Sequence, residues 1–423
     1  MRIGTSSEKV NRAIAVAMED IRINVREYKG GLLGESRPVM MAGADYDRPW
    51  TRDASINTYN FIAAYDRELA RNTLVSVVEK VGDSYFIGGQ YWDCVIWALG
   101  AERYLMIHDD PDFLRIAVDA VSNTLGKMES EEFSPDYGLF RGAAVYGDGV
   151  SAYPDAYGIS GSDGCILGWP AANGERAAKK GYGIPMHVLS TNCVYYNAYM
   201  MVCRLTGKKE FLEKAELLKK SILKNFYHDG RLGYITGPLG NHYEQEGLGL
   251  SFGRMFGILP ENVLDDVRST AHGIACVDRT YDRYRQGDDL GRHSGTIWSF
   301  INSFYANEAL KAGKKDVFIN ELSMLTDKAV RDGQFYEIYH PVTGMPYGGI
   351  QEPVRNGSYS RLKSCEHQLW SATGYMSMII NGIGGLQINL EFRPTNVPGI
   401  EFIEIEGFKC KRGSLDIRLD IGI

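Results

Sequence analysis

Gly207-Lys-Lys-Glu-Phe-Leu212 joins a segment that is apolar nearly all round to one that interleaves Lys and Glu with apolar positions. The joint recurs as Asp109-Asp-Pro-Asp-Phe-Leu114 and Gly313-Lys-Lys-Asp-Val-Phe318, each time after an apolar, Tyr-rich stretch. Repetition of one helix–turn–helix unit is the signature of an αα-hairpin used several times. A helix that is apolar on every side must be buried, whereas one with a single apolar stripe faces solvent. Outward from these joints, six apolar segments lie near Asp53, Tyr91, Thr191, Gly247, Ser294 and Glu366. Six amphipathic segments lie near Val10, Glu68, Asp112, Glu210, Glu261 and Val317, with helices expected over Glu68 to Lys80 and Glu261 to Thr270 among them. Six inner and six outer helices describe an all-α fold, an (α/α)6 barrel, over residues 1–383.

The tail changes period. Leu386-Gln-Ile-Asn-Leu-Glu-Phe392, Ile400-Glu-Phe-Ile-Glu-Ile-Glu406 and Leu415-Asp-Ile-Arg-Leu-Asp-Ile421 alternate every second residue. That pattern predicts three or four short strands in a small β appendage, residues 384–423, packed on the barrel. The roughly sixty residues before Ser190 are rich in Gly, Pro, Tyr and Asp, and a loop that long inside a compact domain is usually functional.

Composition narrows the function classes. The 423 residues are 44% hydrophobic and 23% charged, enough for a large core and not for disorder. A net charge of −7 argues against nucleic acid or an anionic membrane as partner. The seven Cys are scattered, with no CxxC pair and no Cys/His cluster, so neither a disulfide framework nor a structural zinc site is expected. The N-terminus lacks a basic-then-apolar leader, and no run of about 18 apolar residues exists, so a reducing cytoplasm is the expected location. The 26 Tyr offer flat apolar faces with a polar edge, which suit sugar rings as well as a core.

Four stretches together resemble the six-hairpin glycosidases, the superfamily of glucoamylase, trehalase, the processing α-glucosidases and α-L-rhamnosidase. Trp50-Thr-Arg-Asp53 resembles the Trp-x-Arg-Asp of glucoamylases, whose Arg and Asp grip the sugar being cleaved. Phe335-Tyr-Glu-Ile-Tyr-His-Pro-Val-Thr-Gly344 resembles the loop that carries the general base in trehalase and processing α-glucosidase. Gly295-Thr-Ile-Trp298 and Leu369-Trp-Ser-Ala-Thr373 resemble the openings of two inner helices. The large β-sandwich that precedes the barrel in many members has no room here, and no single subfamily is assigned.

The resemblance implies an inverting, exo-acting glycoside hydrolase, an α-glycosidase, acting on a small saccharide or a non-reducing end. Such chemistry uses two carboxyl groups roughly 6.5–9.5 Å apart, one ionised and one protonated. Glu337 is the implied base, with Glu366 as the fallback. Tyr146-Gly-Asp-Gly-Val-Ser-Ala-Tyr-Pro-Asp155 resembles the acid-bearing loop of the processing α-glucosidases, which implies Asp148 as acid and Asp155 as a sugar-hydroxyl ligand; Asp163 in Ser160-Gly-Ser-Asp163, which resembles a trehalase run, is the alternative acid. Trp50, Arg52 and Asp53 are expected to bind sugar hydroxyls, joined at the mouth by Trp92, Asp93, Arg292, His293, Trp298 and Glu366. The partner is a carbohydrate; no cofactor and no metal ion is called for, and nothing sets an oligomeric state. A sugar phosphorylase on the same barrel, an epimerase-like barrel using His293 and His367, and a non-catalytic carbohydrate-binding scaffold are the competing readings.

Overall fold

The structure is a computed structural model and describes residues 1–157, 164–169, 183–228 and 230–421. Six inner helices form a closed ring: Thr51–Asn57 against Trp97–Ile107, then Leu189–Thr206, Gly247–Met255, Ser299–Lys311 and Leu369–Ser377, which returns to the first. The first continues through a π-helical segment, Thr58–Ile62, and the last through another, Met378–Ile383.

Burial separates the layers as the sequence pattern requires. Every residue from Leu189 to Tyr199 is buried on the third inner helix. Its outer partner, Lys209–Phe226, buries only Phe211, Ala215, Leu218, Ile222 and Phe226, one stripe at helical spacing. Gly207 adopts a left-handed conformation (φ 73°) between them, which ends the inner helix and turns the chain outward. At the earlier joint Asp110 caps the outer helix Pro111–Glu131, accepting from Phe113 N at 2.9 Å, with Pro111 in the first turn.

Outer helices among the described residues are Glu8–Ile23, Arg67–Val75, Pro111–Glu131, Lys209–Phe226 and Lys315–Asp332. The helix expected over Glu261 to Thr270 is instead a single 3-10 turn, Glu261–Leu264. Leu264 is buried and Val263 and Val267 are partly buried against the core, but Asn262, Asp265 and Asp266 in the same stretch are poor helix formers. The helix expected to reach Lys80 stops at Val75, and β-branched Val78–Val81 pairs with Ser84–Ile87 as a hairpin.

The tail also departs from expectation. Leu386–Phe392 is not a strand: Leu390 has φ 62°, Ile388 is exposed, and the two ends meet in one isolated bridge. The sheet has three strands, with Arg2–Thr5 from the N-terminus pairing with Phe402–Cys410, and that strand with Gly413–Asp420. Ile3 faces Ile405, which faces Ile417. At the opposite level, two-residue strands tie loops to helix starts; Ile297–Trp298 pairs with Ile338–Tyr339, so the residues beside Glu337 are registered on the entry to the fifth inner helix.

Candidate active site

Four chain segments converge on one cavity of about 300 Å3 at the loop-bearing end of the ring. Tyr46, Trp50, Arg52 and Asp53 come from the start of the first inner helix, and Tyr146 and Asp148 from the long loop. Arg292, His293 and Trp298 come from the entry to the fifth helix, and Glu337, Gln351, Leu362, Lys363 and Trp370 from the last connection and helix. Wider depressions elsewhere, such as one bordered by Leu33, Arg37, Glu68 and Arg71, contain none of these residues.

Arg52 is the electrostatic centre of one wall. Its guanidinium donates to Gln90 Oε1 (2.6 Å), Asp93 Oδ2 (2.7 Å) and Asp148 Oδ2 (2.8 Å). Burial opposes its charge, but Asp148 and Asp93 hold it protonated. Asp93 lies below the cavity at 1% exposure; burial pushes its carboxyl up to about 6 against the pull of Arg52. Asp148, with 28% of its side chain exposed, behaves differently. Burial raises it, yet Arg52 and His293 outweigh that and hold it below the ordinary carboxylate value. His293 itself is pushed down to about 3 by burial, so at neutral pH it is uncharged and Arg52 carries the pull there. His293 Nε2 lies 3.7 Å from Asp148 Oδ1, and its Nδ1 has no partner among the described residues. The Asp148 loop reaches this position because Gly149 has no side chain: a Cβ there would run into His293 Nδ1.

Glu337 forms the facing wall and is 2% exposed. It accepts a charge-assisted hydrogen bond from Arg292, one from Tyr46 Oη (3.0 Å) and one from Gln368 Nε2 (3.2 Å). The Glu337 charge and burial raise the Tyr46 phenol well above its ordinary value, so it stays a donor. Arg292 also donates to the carbonyls of Gly348 (3.0 Å) and Lys363 (3.1 Å), which fixes it beneath the last connection. Asp53 lines the same cavity without a hydrogen bond to its carboxyl among the described residues. Burial, opposed by Arg52 and helped by Glu337, pushes it up to about 8, so it is protonated at neutral pH.

An aromatic floor supports these groups. Trp298 stacks on His293 (4.7 Å between centroids) and meets Trp370 edge-on (5.5 Å), and Trp370 stacks on Phe300 (4.3 Å). Trp298 Nε1 donates to the Arg292 carbonyl at 3.0 Å, so the floor also holds the backbone of a site residue.

Of the residues singled out in the sequence, Glu337, Asp148, Trp50, Arg52, Asp53, Arg292, His293 and Trp298 share this cavity. Trp92 does not line it, being fully buried edge-on to Tyr91. Asp93 sits beneath it, holding Arg52. Asp155 is exposed outside it, 4.0 Å from Arg283, and Glu366 is exposed beside Tyr336. Asp163 lies outside the described residues. Sequence reasoning passed over Tyr46, Gln351, Leu362 and Lys363 as lining residues, and Gln90 and Gln368 as supports. Tyr46 and Gln368 adjoin the Trp50-Thr-Arg-Asp53 and Leu369-Trp-Ser-Ala-Thr373 stretches, which was the available signal; the segment from Gln351 to Lys363 carries none. Among the described residues no group of His, Cys, Asp and Glu has the grouping of a metal site, and no helix is long and apolar enough to cross a membrane.

No family model matches the chain, and no curated protein matches it in sequence. Solved structures do match in fold. A GH63 mannosylglycerate hydrolase from Thermus thermophilus, in complex with glucose, superposes with a TM-score of 0.61 at 14% identity, over 87% of this chain and 100% of its own. A GH78 family rhamnosidase of Bacillus sp. GL1 superposes at 0.65 with 13% identity, over 99% of this chain and 40% of its own. A sialidase gives 0.66 at 14% identity, over 99% of this chain and 38% of its own. The chain thus spans about two fifths of the length of two of these structures and the whole of the third.

Proposed function

From the (α/α)6 toroid fold of the six-hairpin glycosidases, which this chain has, we propose that it is an inverting, exo-acting glycoside hydrolase. Glu337 acts as the general base and Asp148 as the general acid. The observation that carries the reading is that two carboxyls from separate connections line one compact cavity, Asp148 partly open to water and Glu337 buried. Inversion requires an acid on one face of the glycosidic bond and a base that activates water on the other.

Glu337 is oriented by three donors, two on Oε1 and one on Oε2, which leaves about one lone pair, on Oε2, for a water. Asp148 must carry a proton when the bond breaks, and Arg52 opposes this. A sugar that fills the cavity strips water from Asp148, and loss of hydration is the largest influence raising it. Substrate binding therefore shifts Asp148 toward its acid form. Neutral His293 beside it adds no charge that would resist this. Arg52, Asp53 and Trp50 bind the sugar on the glycone side. Asp53, protonated at neutral pH, is the second carboxyl able to donate, and that observation supports a second reading in which it is the acid.

One experiment separates these assignments. Glu337→Gln is expected to lower turnover by about 10^3-fold or more while sugar binding survives, and near-full activity removes the base assignment. Asp148→Asn is expected to hurt poor leaving groups far more than activated aryl glycosides; if Asp53→Asn shows that selectivity instead, Asp53 is the acid. Following the product anomer by NMR tests inversion, and a panel of α- and β-glycosides reads the sugar.

A further inference from the structure

Asp20 lies on the outer helix Glu8–Ile23, is 1% exposed, and lines no part of the cavity. Its two oxygens nevertheless grip both segments that hold Glu337. Oδ2 accepts from Phe335 N at 2.6 Å, two residues before Glu337. Oδ1 pairs with His367 Nδ1 at 2.7 Å, one residue before Gln368, whose amide donates to Glu337. The two segments are also laced together, by Gln368 N to Phe335 O (2.8 Å) and Glu337 N to Cys365 O (3.0 Å).

His367 has φ 47°, a left-handed backbone that only a few per cent of non-glycine residues adopt, His, Asn and Asp more often than the rest. Three hydrogen bonds keep it there: the one to Asp20, one from Asn24 Nδ2 to its carbonyl (2.7 Å), and one from its N–H to Gln334 Oε1 (3.1 Å). Asn24 stands at the end of the same outer helix as Asp20, so that helix end holds both the ring and the backbone of His367. Backbone strain that persists because its surroundings over-determine it points to a positional task. The task available here is the aim of the next side chain: Gln368 caps the last inner helix through Trp370 N (3.3 Å) and reaches back to Glu337.

We propose that Asp20 and His367 form a positioning pair for Glu337, fixing the general base from behind without touching substrate; this rests on the reading of Glu337 given above. The outer layer thereby sets the aim of a group in the inner cavity. The pair is tested in the full chain by steady-state kinetics on the best glycoside of the panel. Asp20→Ala and His367→Gly are expected to lower kcat about 10- to 100-fold with KM within about threefold, the loss that a base misplaced by about an ångström gives. His367→Gly keeps the left-handed backbone without strain, so it reports the lost pairing even where Asp20→Ala folds poorly. His367→Asn tolerates the same backbone and restores a donor to Asp20, so it is expected to recover most of kcat. In a Glu337→Gln background, adding His367→Gly is expected to lower the residual rate no further. Unchanged kcat in His367→Gly with Glu337→Gln inactive overturns the pairing and leaves the base intact; an active Glu337→Gln overturns both. Equal changes in kcat and KM, or failure of His367→Asn to rescue, also overturn it.

Discussion

Replacing Arg52 with Met tests the electrostatic frame of the cavity. The guanidinium makes hydrogen bonds to two carboxylates, Asp93 and Asp148, at 2.7 and 2.8 Å. Hydrogen bonds to charged groups contribute about 1.5–3 kcal/mol each, so the two together amount to about 3–6 kcal/mol. Breaking one partner of a buried ion pair costs about 3–5 kcal/mol, which agrees. Unfolding entropy of about 2.1 cal/mol/K per residue over 423 residues gives about 0.9 kcal/mol/K, so Tm falls by about 3–7 °C. The loss also depends on pH. Asp93 already titrates at about 6 in the folded chain, above its unfolded value, and without Arg52 it rises further. A carboxyl raised on folding takes up a proton as the chain folds, so it costs stability progressively as pH rises from the unfolded toward the folded value. The Arg52→Met deficit is therefore smaller at pH 5 than at pH 8. Thermal melts of both proteins across that range are the assay. A Tm loss under about 1 °C at pH 8, or a deficit that does not change with pH, refutes the frame.

Three further outcomes are expected. Gly149→Ala drives a methyl against His293 and displaces the loop bearing Asp148, lowering kcat about 10-fold or more on unactivated glycosides while Tm changes by only a few degrees. Glu246 is 1% exposed, its carboxyl is raised to about 8 by burial, and it accepts from Ser190 N at 3.0 Å. It costs stability increasingly as pH rises from about 4.3 toward its folded value, so Glu246→Gln should raise Tm at pH 8 and flatten its pH dependence, as melts at pH 5 and 8 would read. Binding of a neutral monosaccharide inhibitor should take up protons near Asp148's range, seen by calorimetry in two buffers of different ionisation enthalpy, and Asp148→Asn should abolish that uptake.

What was legible in the sequence was what periodicity and punctuation encode. The Gly207 and Asp110 joints gave the hairpins, because a left-handed glycine and an aspartate cap act locally. The short tail segment at Leu386 misled, because apolar alternation over seven residues is matched by a turn whose middle Ile388 points outward. The helix expected after Glu261 failed for a different reason: Val263, Leu264 and Val267 keep helical spacing, but Asn262, Asp265 and Asp266 between them favour turns over helix. At the site, residues on helix starts and tight loops were found, since Trp50, Arg52 and Arg292 adjoin recognisable turns. Trp92 and Asp93 share one turn, yet one packs in the core and the other holds Arg52 from below, a distinction set by tertiary depth. Gln351, Leu362 and Lys363 reach the cavity through a connection folded back by the bridge between Ile350 and Arg361, a long-range contact no local pattern announces.

The two carboxyls proposed for catalysis are each tied to one arginine, Asp148 to Arg52 and Glu337 to Arg292, so residue type and first partner do not distinguish them. Access to water does. Glu337 is 2% exposed and already has three donors, so a bound sugar changes its surroundings little. Asp148 keeps 28% of its side chain exposed and has one strong donor, so the same sugar replaces its remaining hydration with carbon and hydroxyl. Under the proposed assignment one binding event moves Asp148 toward its neutral form, as the acid of an inverting pair requires. It follows that enlarging access to Asp148 without touching its charge, as Leu362→Ala at the rim would do, should weaken catalysis on poor leaving groups more than on activated ones. Equal loss on both, measured as kcat over the aryl glycoside series, would mean that hydration does not set the proton on Asp148.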